Sequence, residues 1–400
     1  MRVLVSLEHR FDRTPDGQVW TQTMFAYPFW TRYLDVFDRV RVLARVRDVS
    51  IVPEGWSRAT GAHVSFVPIP HYLGPWQYLR RARAVRRSAR QAVCPHEAVI
   101  LRLPSTIAAP VVPSLRRAGH PFGVEVLGDP YDVFAPRSVD HPLRPFLRWW
   151  FRRSMRRQCS DARVAAYVTE RTLQSRYPVT PGALSLSCSD VELPDLAFAA
   201  APRPVQRDRR TWTVVTVGSL AQMYKAPDVL IDAVAALVRD GLDLRLVLVG
   251  DGKFRPTLEA RARATGLGER VTFRGQLTAG AVVREQLDQS DVFVLPSRTE
   301  GLPRAMIEAM ARGLPCIGSR VGGIPELLPA EDLAPVGDVT ALARAIRAVV
   351  TDPERMACMS ARNLERARMY HDDVLHARRL TFYRAVRDCT GEWLETREQR

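Results

Sequence analysis

"TWTVVTVGSLAQMYKAPDVLIDAVAALVRDGLDLRLVLVGDG", residues 211–252, opens on a β-branched run, passes through an alanine- and leucine-rich stretch of helix length, and closes on a second apolar run ending in Gly-Asp-Gly. Strand, helix and strand in that order form a β-α-β unit, which needs a parallel sheet. The alternation continues downstream through "RPTLEARARATG", "ERVTFRG", "TAGAVVREQLDQS" and "DVFVLPS", ending at Ser297. Upstream it is equally regular, with strand-like runs "RVLVSL", "FDRVRVLARV", "HVSFVPI", "EAVILRL", "PFGVEVLG" and "ARVAAYVT" separated by helix-length segments.

Between the two series, Pro194 to Arg210 loses periodicity and gains proline, alanine and charge, as a linker does. The expected fold class is α/β, with two doubly wound Rossmann-like domains facing across a cleft. The expected boundaries are a first domain over 1–195, a linker over 196–210, a second domain over 211–371, and a terminal helix over 372–400. That helix has apolar positions at Val374, Leu375, Leu380, Phe382 and Tyr383 and is a candidate to cross back to the first domain. Ligands of such sheets bind at the carboxyl ends of the strands. At 400 residues the chain is long enough for two cores.

Composition excludes several classes. Apolar residues make up 46% and charged residues 25%, and no apolar run approaches the ~18 residues of a membrane span. The start, "MRVLVSLEHRFDR", lacks the pattern of a signal peptide, so a cytoplasmic protein is expected. Six scattered cysteines without a C-x-x-C pair indicate neither a zinc site nor a disulfide framework. The net charge of +15 is uneven: up to residue 200 there are 28 basic residues against 17 acids, and beyond it 30 against 26. Only Lys225 and Lys253 are lysines.

After "DVFVLPS" comes "RTEGLPRAMIEAMARGLPCIGS". Pro303 has the fixed φ that suits a first helical turn, helix formers follow, and Gly313 terminates. Glu300 therefore belongs to the loop and Glu308 to the helix, about 7.5 Å along its axis. Between them lie free amides suited to phosphate, with Arg304 adding charge. A hydroxyl-rich group at each carboxylate and a phosphate between them describe a nucleotide sugar. An acid favouring the helix dipole plus an exposed helix glutamate is the plain alternative.

The second half resembles the nucleotide-binding half of the retaining glycosyltransferases of family 4, whose fold is GT-B. The resemblance rests on three blocks in order within residues 211–328: "VVTVGSLAQMYKAPDVLIDAV", "LVLVGDGKFRPTLEARARATGLGERVTFRGQL" and "SDVFVLPSRTEGLPRAMIEAMARGLPCIGSRVGGIPELL". The last block contains an E-x7-E signature. The resemblance implies that Glu300 holds the donor sugar, Glu308 the ribose, and the loop of Gly301, Leu302, Pro303 and Arg304 the diphosphate. It implies that Lys225 binds the diphosphate, beside the Gly218–Ser219 turn. The family often has arginine where Ser219 stands. "RGQL", with Arg274, Gly275 and Leu277, matches the turn near the donor base, which would be of UDP or GDP type. The nucleotide sugar is then a co-substrate, with no further cofactor and no metal.

In the first half, "EHRFDRTPDGQVWTQ" stands where the family has a glycine loop near the diphosphate, making Gly17 a candidate; a simple turn explains it equally. "GVEVLGDPYDVF" offers Asp129 as a third candidate catalytic residue beside Lys225 and Glu300, touching acceptor or sugar, or else as an aspartate at a turn. "GG-x-P-E", ending at Glu326, either lets backbone approach the ligand or is a plain helix start.

Residues 55–96 contain no acid, yet "YLRRARAVRRSARQ" supplies six arginines. In "HPLRPFLRWWFRRSMRRQ", helical spacing puts Leu143, Leu147, Trp150, Phe151 and Met155 opposite Arg148, Arg152, Arg153, Arg156 and Arg157. Such helices either pack on a sheet or lie on an anionic membrane surface. The expected activity is transfer of a sugar from a nucleotide-diphosphate sugar to a sugar, lipid-linked or natural-product acceptor, with no nucleic-acid partner. A glycoside hydrolase, which also uses two carboxylates, and a basic nucleic-acid-binding protein are the alternatives.

Overall fold

The computed structural model describes residues 1–52, 54–134, 143–278 and 280–399. The first domain is built on β1 (Arg2–Arg13), β2 (Val19–Thr21), β3 (Arg39–Asp48), β4 (Ser57–Arg58), β5 (Val64–Pro70), β6 (Glu97–Leu103), β7 (Gly123–Val126), β8 (Val164–Tyr167) and β9 (Leu184–Ser187). Its parallel strands run in the order β5-β3-β1-β6-β7-β8-β9. A parallel sheet is covered on both faces, and the central strand β6, "EAVILRL", is buried at every position. Its two charges are compensated: Glu97 accepts from Arg41 at 2.7 Å, and Arg102 pairs with Glu125 and with Asp190.

The second sheet is β12-β11-β10-β13-β14-β15, parallel throughout, from β10 (Trp212–Val217), β11 (Leu244–Val249), β12 (Val271–Gly275), β13 (Val292–Leu295), β14 (Cys316–Ser319) and β15 (Leu333–Ala334). Its order is that of a dinucleotide-binding fold. The helices Pro227–Arg239 and Val339–Val350 pack Leu230, Val234, Leu342 and Ile346 into one apolar cluster with β10 and β11.

Two segments differ from expectation. β1 does not stop after "RVLVSL" but runs to Arg13, because Phe11 is buried among aromatic side chains and Asp12 and Arg13 pair with β2. The linker is also less loose than its composition implies. Arg203 within it donates to the carbonyls of Leu287, Ser290 and Arg312, and Ala199 N donates to Ala311 O at 2.8 Å.

The terminal helix, Asp372–Glu398, packs Leu375, Phe382, Tyr383 and Val386 against the first domain. A Cβ on Gly123 would lie 2.5 Å from Val386 Cγ2, so glycine there lets the helix sit close on β7. No helix among the described residues is long and apolar enough to cross a membrane.

Candidate functional site

The order of the second sheet reverses between β10 and β13, and the loops leaving those two strands carry Lys225 and Glu300. Lys225 Nζ lies 2.6 Å from Glu300 Oε1, and Ser297 Oγ donates to the same oxygen at 2.6 Å. Glu300 is buried.

Glycines bring this corner together. A Cβ on Gly218 would come to 3.2 Å from Lys225 Cγ, so the lysine stem lies across that residue. Beneath it the "GDG" loop is in backbone contact: a Cβ on Gly250 would meet Gly218 O at 2.0 Å. Arg298 fixes the turn that presents the lysine, donating to Met223 O at 2.7 Å and to both oxygens of Asp228 at 2.9 and 2.7 Å. The next residue, Ala226, is buried at φ 51°, ψ 46°. A left-handed alanine costs about 1 kcal/mol, and such conformations collect at functional sites. Ser219 is exposed, and its hydroxyl accepts from Ala221 N at 3.2 Å.

Past Glu300, the chain enters the helix Arg304–Ala311, whose N-cap Pro303 offers no side-chain cap. The amides of its first turn thus keep their anion-binding capacity. Arg304 is exposed, with Nη1 2.9 Å from Met24 Sδ of the first domain. Glu308 is half-buried, and its carboxylate has no hydrogen bond or ion pair among the described residues. Burial pushes its carboxyl above the ordinary range, opposed by Arg304 and Arg284. Gly322 and Gly323 support the loop from below: a Cβ on Gly322 would meet Glu300 O at 2.2 Å, and Gly323 N donates to Gly301 O at 2.7 Å.

Other expected site residues fall differently. Leu302 and Pro303 are buried, Leu302 within the apolar core. Gly275, at φ 71°, accepts from Gly250 N at 2.8 Å, which keeps it beside the "GDG" loop, and Leu277 packs on the core. The Arg274 side chain instead lines a groove with Arg245, Thr272 and Gln286. Gly17 sits exposed at the tip of the β1–β2 hairpin with open space around it, in a turn closed by Gly17 N to Thr14 O and held by Asp16. The segment that reaches the second domain is the one following β2, through Met24. Asp129 is buried, and its carboxylate accepts from Tyr131 N, Tyr177 and Arg176. It caps the short helix Pro130–Val133 and fastens Arg176, so its partners match the turn reading. The backbone just before it takes the contact: a Cβ on Gly301 would lie 2.5 Å from Leu127 O.

Ser297, Arg298 and Met24 carry no motif of their own. Glu326 was visible in "GG-x-P-E", but its partners were not. Its carboxylate accepts from the amides of Glu170, Arg171 and Thr172 and from the Thr172 hydroxyl, at 2.5 to 3.1 Å, all in the first domain. It therefore caps the helix Thr172–Arg176 across the domain boundary. Arg366 reinforces the join, reaching Glu170 Oε1 and Glu326 O, each at 3.0 Å.

The model of the family described as glycosyl transferases group 1 matches residues 211–352, which span both the lysine turn and the helix after Glu300. That segment is similar to the group 1 glycosyltransferases. Over 326 residues the chain is 24% identical to protein CapJ of Staphylococcus aureus, covering 80% of each. Over 266 residues it is 30% identical to the 2-deoxystreptamine glucosyltransferase of Streptomyces kanamyceticus, covering 62% of this chain and 65% of that one. Its fold is GT-B: sucrose-phosphate synthase from Thermosynechococcus elongatus superposes with a TM-score of 0.71 over 96% of this chain and 98% of its own, at 18% identity. In this second domain, the elements that build the corner around the Lys225–Glu300 pair come from the loops after β10, β11, β13 and β14, the carboxyl edge where such sheets bind ligands.

Proposed function

We propose that this glycosyltransferase moves a sugar from a UDP- or GDP-type nucleotide sugar, with retention of configuration, to an envelope-polysaccharide, glycolipid or natural-product acceptor in the cytoplasm. The observation that carries the reading is the Lys225–Glu300 pair at the sheet's reversal point, directly before a helix start with free amides. The diphosphate would lie between Lys225 and the amides of the turn before Arg304, with Arg304 supplying a second positive charge. Glu300 would accept from the sugar hydroxyls and Glu308 from the ribose. The anomeric C–O bond to the diphosphate breaks as the acceptor oxygen bonds the same carbon on the same face. The acceptor's proton passes to the departing phosphate oxygen, so no protein nucleophile is required. Positioning and stabilisation of the leaving charge supply the acceleration. In this reading Lys225, Arg304 and amides do the neutralising, and transfer persists in the presence of a chelator.

A glycoside hydrolase needs one carboxylate as nucleophile or base and one as acid. Here Glu300 is engaged by an ammonium, which suits an anionic leaving group better. The test is transfer from UDP- and GDP-sugars by Lys225→Ala and Glu300→Gln. Each should lose about 10²- to 10³-fold in rate while retaining the wild-type melting profile. Full activity in both would sink the assignment.

A further inference from the structure

On the side of the first domain away from the terminal helix, the helices Gly74–Gln91, Val112–Ala118 and Arg144–Ser160 enclose an open groove of about 630 Å³. Arg86, Arg90, Arg116, Arg117, Arg153 and Arg157 line it, all exposed, with one acid, Asp161, at its end. Among the described residues none of the six arginines has an ion-pair partner.

Aromatic side chains stand beside this charge. The helix Arg144–Ser160 buries Met155 and Cys159 but leaves Phe146, Trp149 and Trp150 each more than half exposed. The three rings lie 6.0 to 6.4 Å apart, centre to centre. On the helix Gly74–Gln91, which supplies Arg86 and Arg90 to the groove, Trp76, 79% exposed, and Leu79 are also left open to solvent. Packing on the sheet thus accounts for only the second half of the Arg144–Ser160 helix, and Trp150 does not join the buried face that its spacing implies.

The aromatic end is also the end nearest the cleft. Arg148 lies 3.5 Å over the ring of Tyr131 and Phe134 stacks on Phe151 at 5.2 Å, and the segment carrying Tyr131 begins at Leu127, against the donor loop's Gly301.

We infer that this face docks on an anionic lipid bilayer, its arginine groove taking lipid phosphates and Phe146, Trp149, Trp150 and Trp76 entering the interfacial layer. Uncompensated guanidinium groups match anionic headgroups, and tryptophan, apolar in body and polar at one edge, is suited to the boundary they mark. Trp149 and Trp150 also line the groove; a nucleic acid would satisfy the charge and these two rings but would leave Phe146, Trp76 and Leu79 exposed to water. The inference stands apart from the donor chemistry. With it, a lipid-linked acceptor would meet the cleft at the membrane surface.

Co-sedimentation of the full chain with phosphatidylglycerol vesicles in about 0.1 M salt tests it, with phosphatidylcholine vesicles and free duplex DNA as comparisons. The wild type should pellet with the anionic vesicles alone. Arg153→Ala with Arg157→Ala should lower the partition coefficient about thirtyfold, equivalent to about 1 kcal/mol for each arginine at the surface. Trp149→Ser with Trp150→Ser should lower it at unchanged charge. In both double variants the rise in melting temperature on adding a nucleoside diphosphate should persist, so that loss of vesicle binding is separable from loss of fold or of the donor site. No pelleting with phosphatidylglycerol, equal pelleting of the variants, or binding to duplex without binding to vesicles would overturn the inference.

Discussion

The two halves of the molecule distribute their unpaired arginines differently. In the second domain many of the guanidinium groups are answered, Arg261 by Asp232, Arg298 by Asp228, Arg312 by Asp288, Arg355 and Arg362 by Asp332, and unpaired ones such as Arg304 are scattered singly. In the first, those buried near the sheet are answered too, Arg41 by Glu97 and Arg102 by Glu125, but those lining the groove of the outer helices have no ion pair among the described residues. A paired arginine ties two elements together, whereas an unpaired one contributes little to folding and leaves its charge available to something outside the chain. The same residue type therefore reports architecture where it is paired, and an external surface where unpaired copies cluster on the outer helices of the first domain.

Breaking the join between the halves should have the largest effect on the fold. Glu326→Ala leaves three backbone amides and a hydroxyl of the first domain without their acceptor, a loss of about 3 kcal/mol. Chemical denaturation should register it, and small-angle scattering should find the variant more extended than the wild type. A compact, fully stable Glu326→Ala would mean that the helical cap does not hold the domains together.

The next prediction sharpens the contrast directly. Arg298→Ala should cost about 2–3 kcal/mol, since it strips a charged partner from Asp228 and releases the turn of Lys225. Arg153→Ala should stay within about 0.5 kcal/mol of the wild type. Thermal melts of the two variants in one buffer make the comparison, and equal losses would show that the outer arginines have internal partners after all.

Much of this was legible in the sequence, for definite reasons. Parallel strands buried on both faces, such as "EAVILRL" and "LRLVLV", announce themselves as continuous apolar runs, so the two doubly wound sheets could be read in order. The placement of Lys225 and Glu300 at the ends of two strands, with Glu308 on the helix that follows, was legible because these positions are local: they lie beside strand ends whose spacing along the chain is regular. What could not be read depends on contacts between distant segments. Asp129 precedes a proline and looks free, yet Arg176 and Tyr177, from a later helix and its end, occupy it. Gly17 looks like a ligand-facing glycine, but β1 continues past Ser6 and carries it away on a hairpin. Glu326 reads as a helix-start acid of its own domain, while its acceptor oxygens serve a helix more than 150 residues earlier. Exposure of Trp150 was hidden for the same reason: periodicity locates an apolar face but not the neighbour that covers it.

The smallest expected effect concerns Glu308, and it runs in opposite directions for stability and for binding. Burial raises its carboxyl in the folded chain above its value in the unfolded one, so the folded state holds the proton more tightly. Stability then falls as pH rises through the carboxylate range and levels off above the folded value. Glu308→Gln, which does not titrate, should melt slightly above the wild type at neutral pH, and the difference should shrink in mildly acidic buffer. If the ionised carboxylate accepts the ribose hydroxyls, the same substitution should weaken nucleoside diphosphate binding at neutral pH and flatten its decline on acidification. Calorimetric titration across that range separates the two effects. A variant that is stabilised but binds as well as the wild type would leave Glu308 a buried acid of the helix and move the ribose elsewhere on the loop, whereas weaker binding with a higher melting point is the signature of a group kept for its ligand at some expense to the fold.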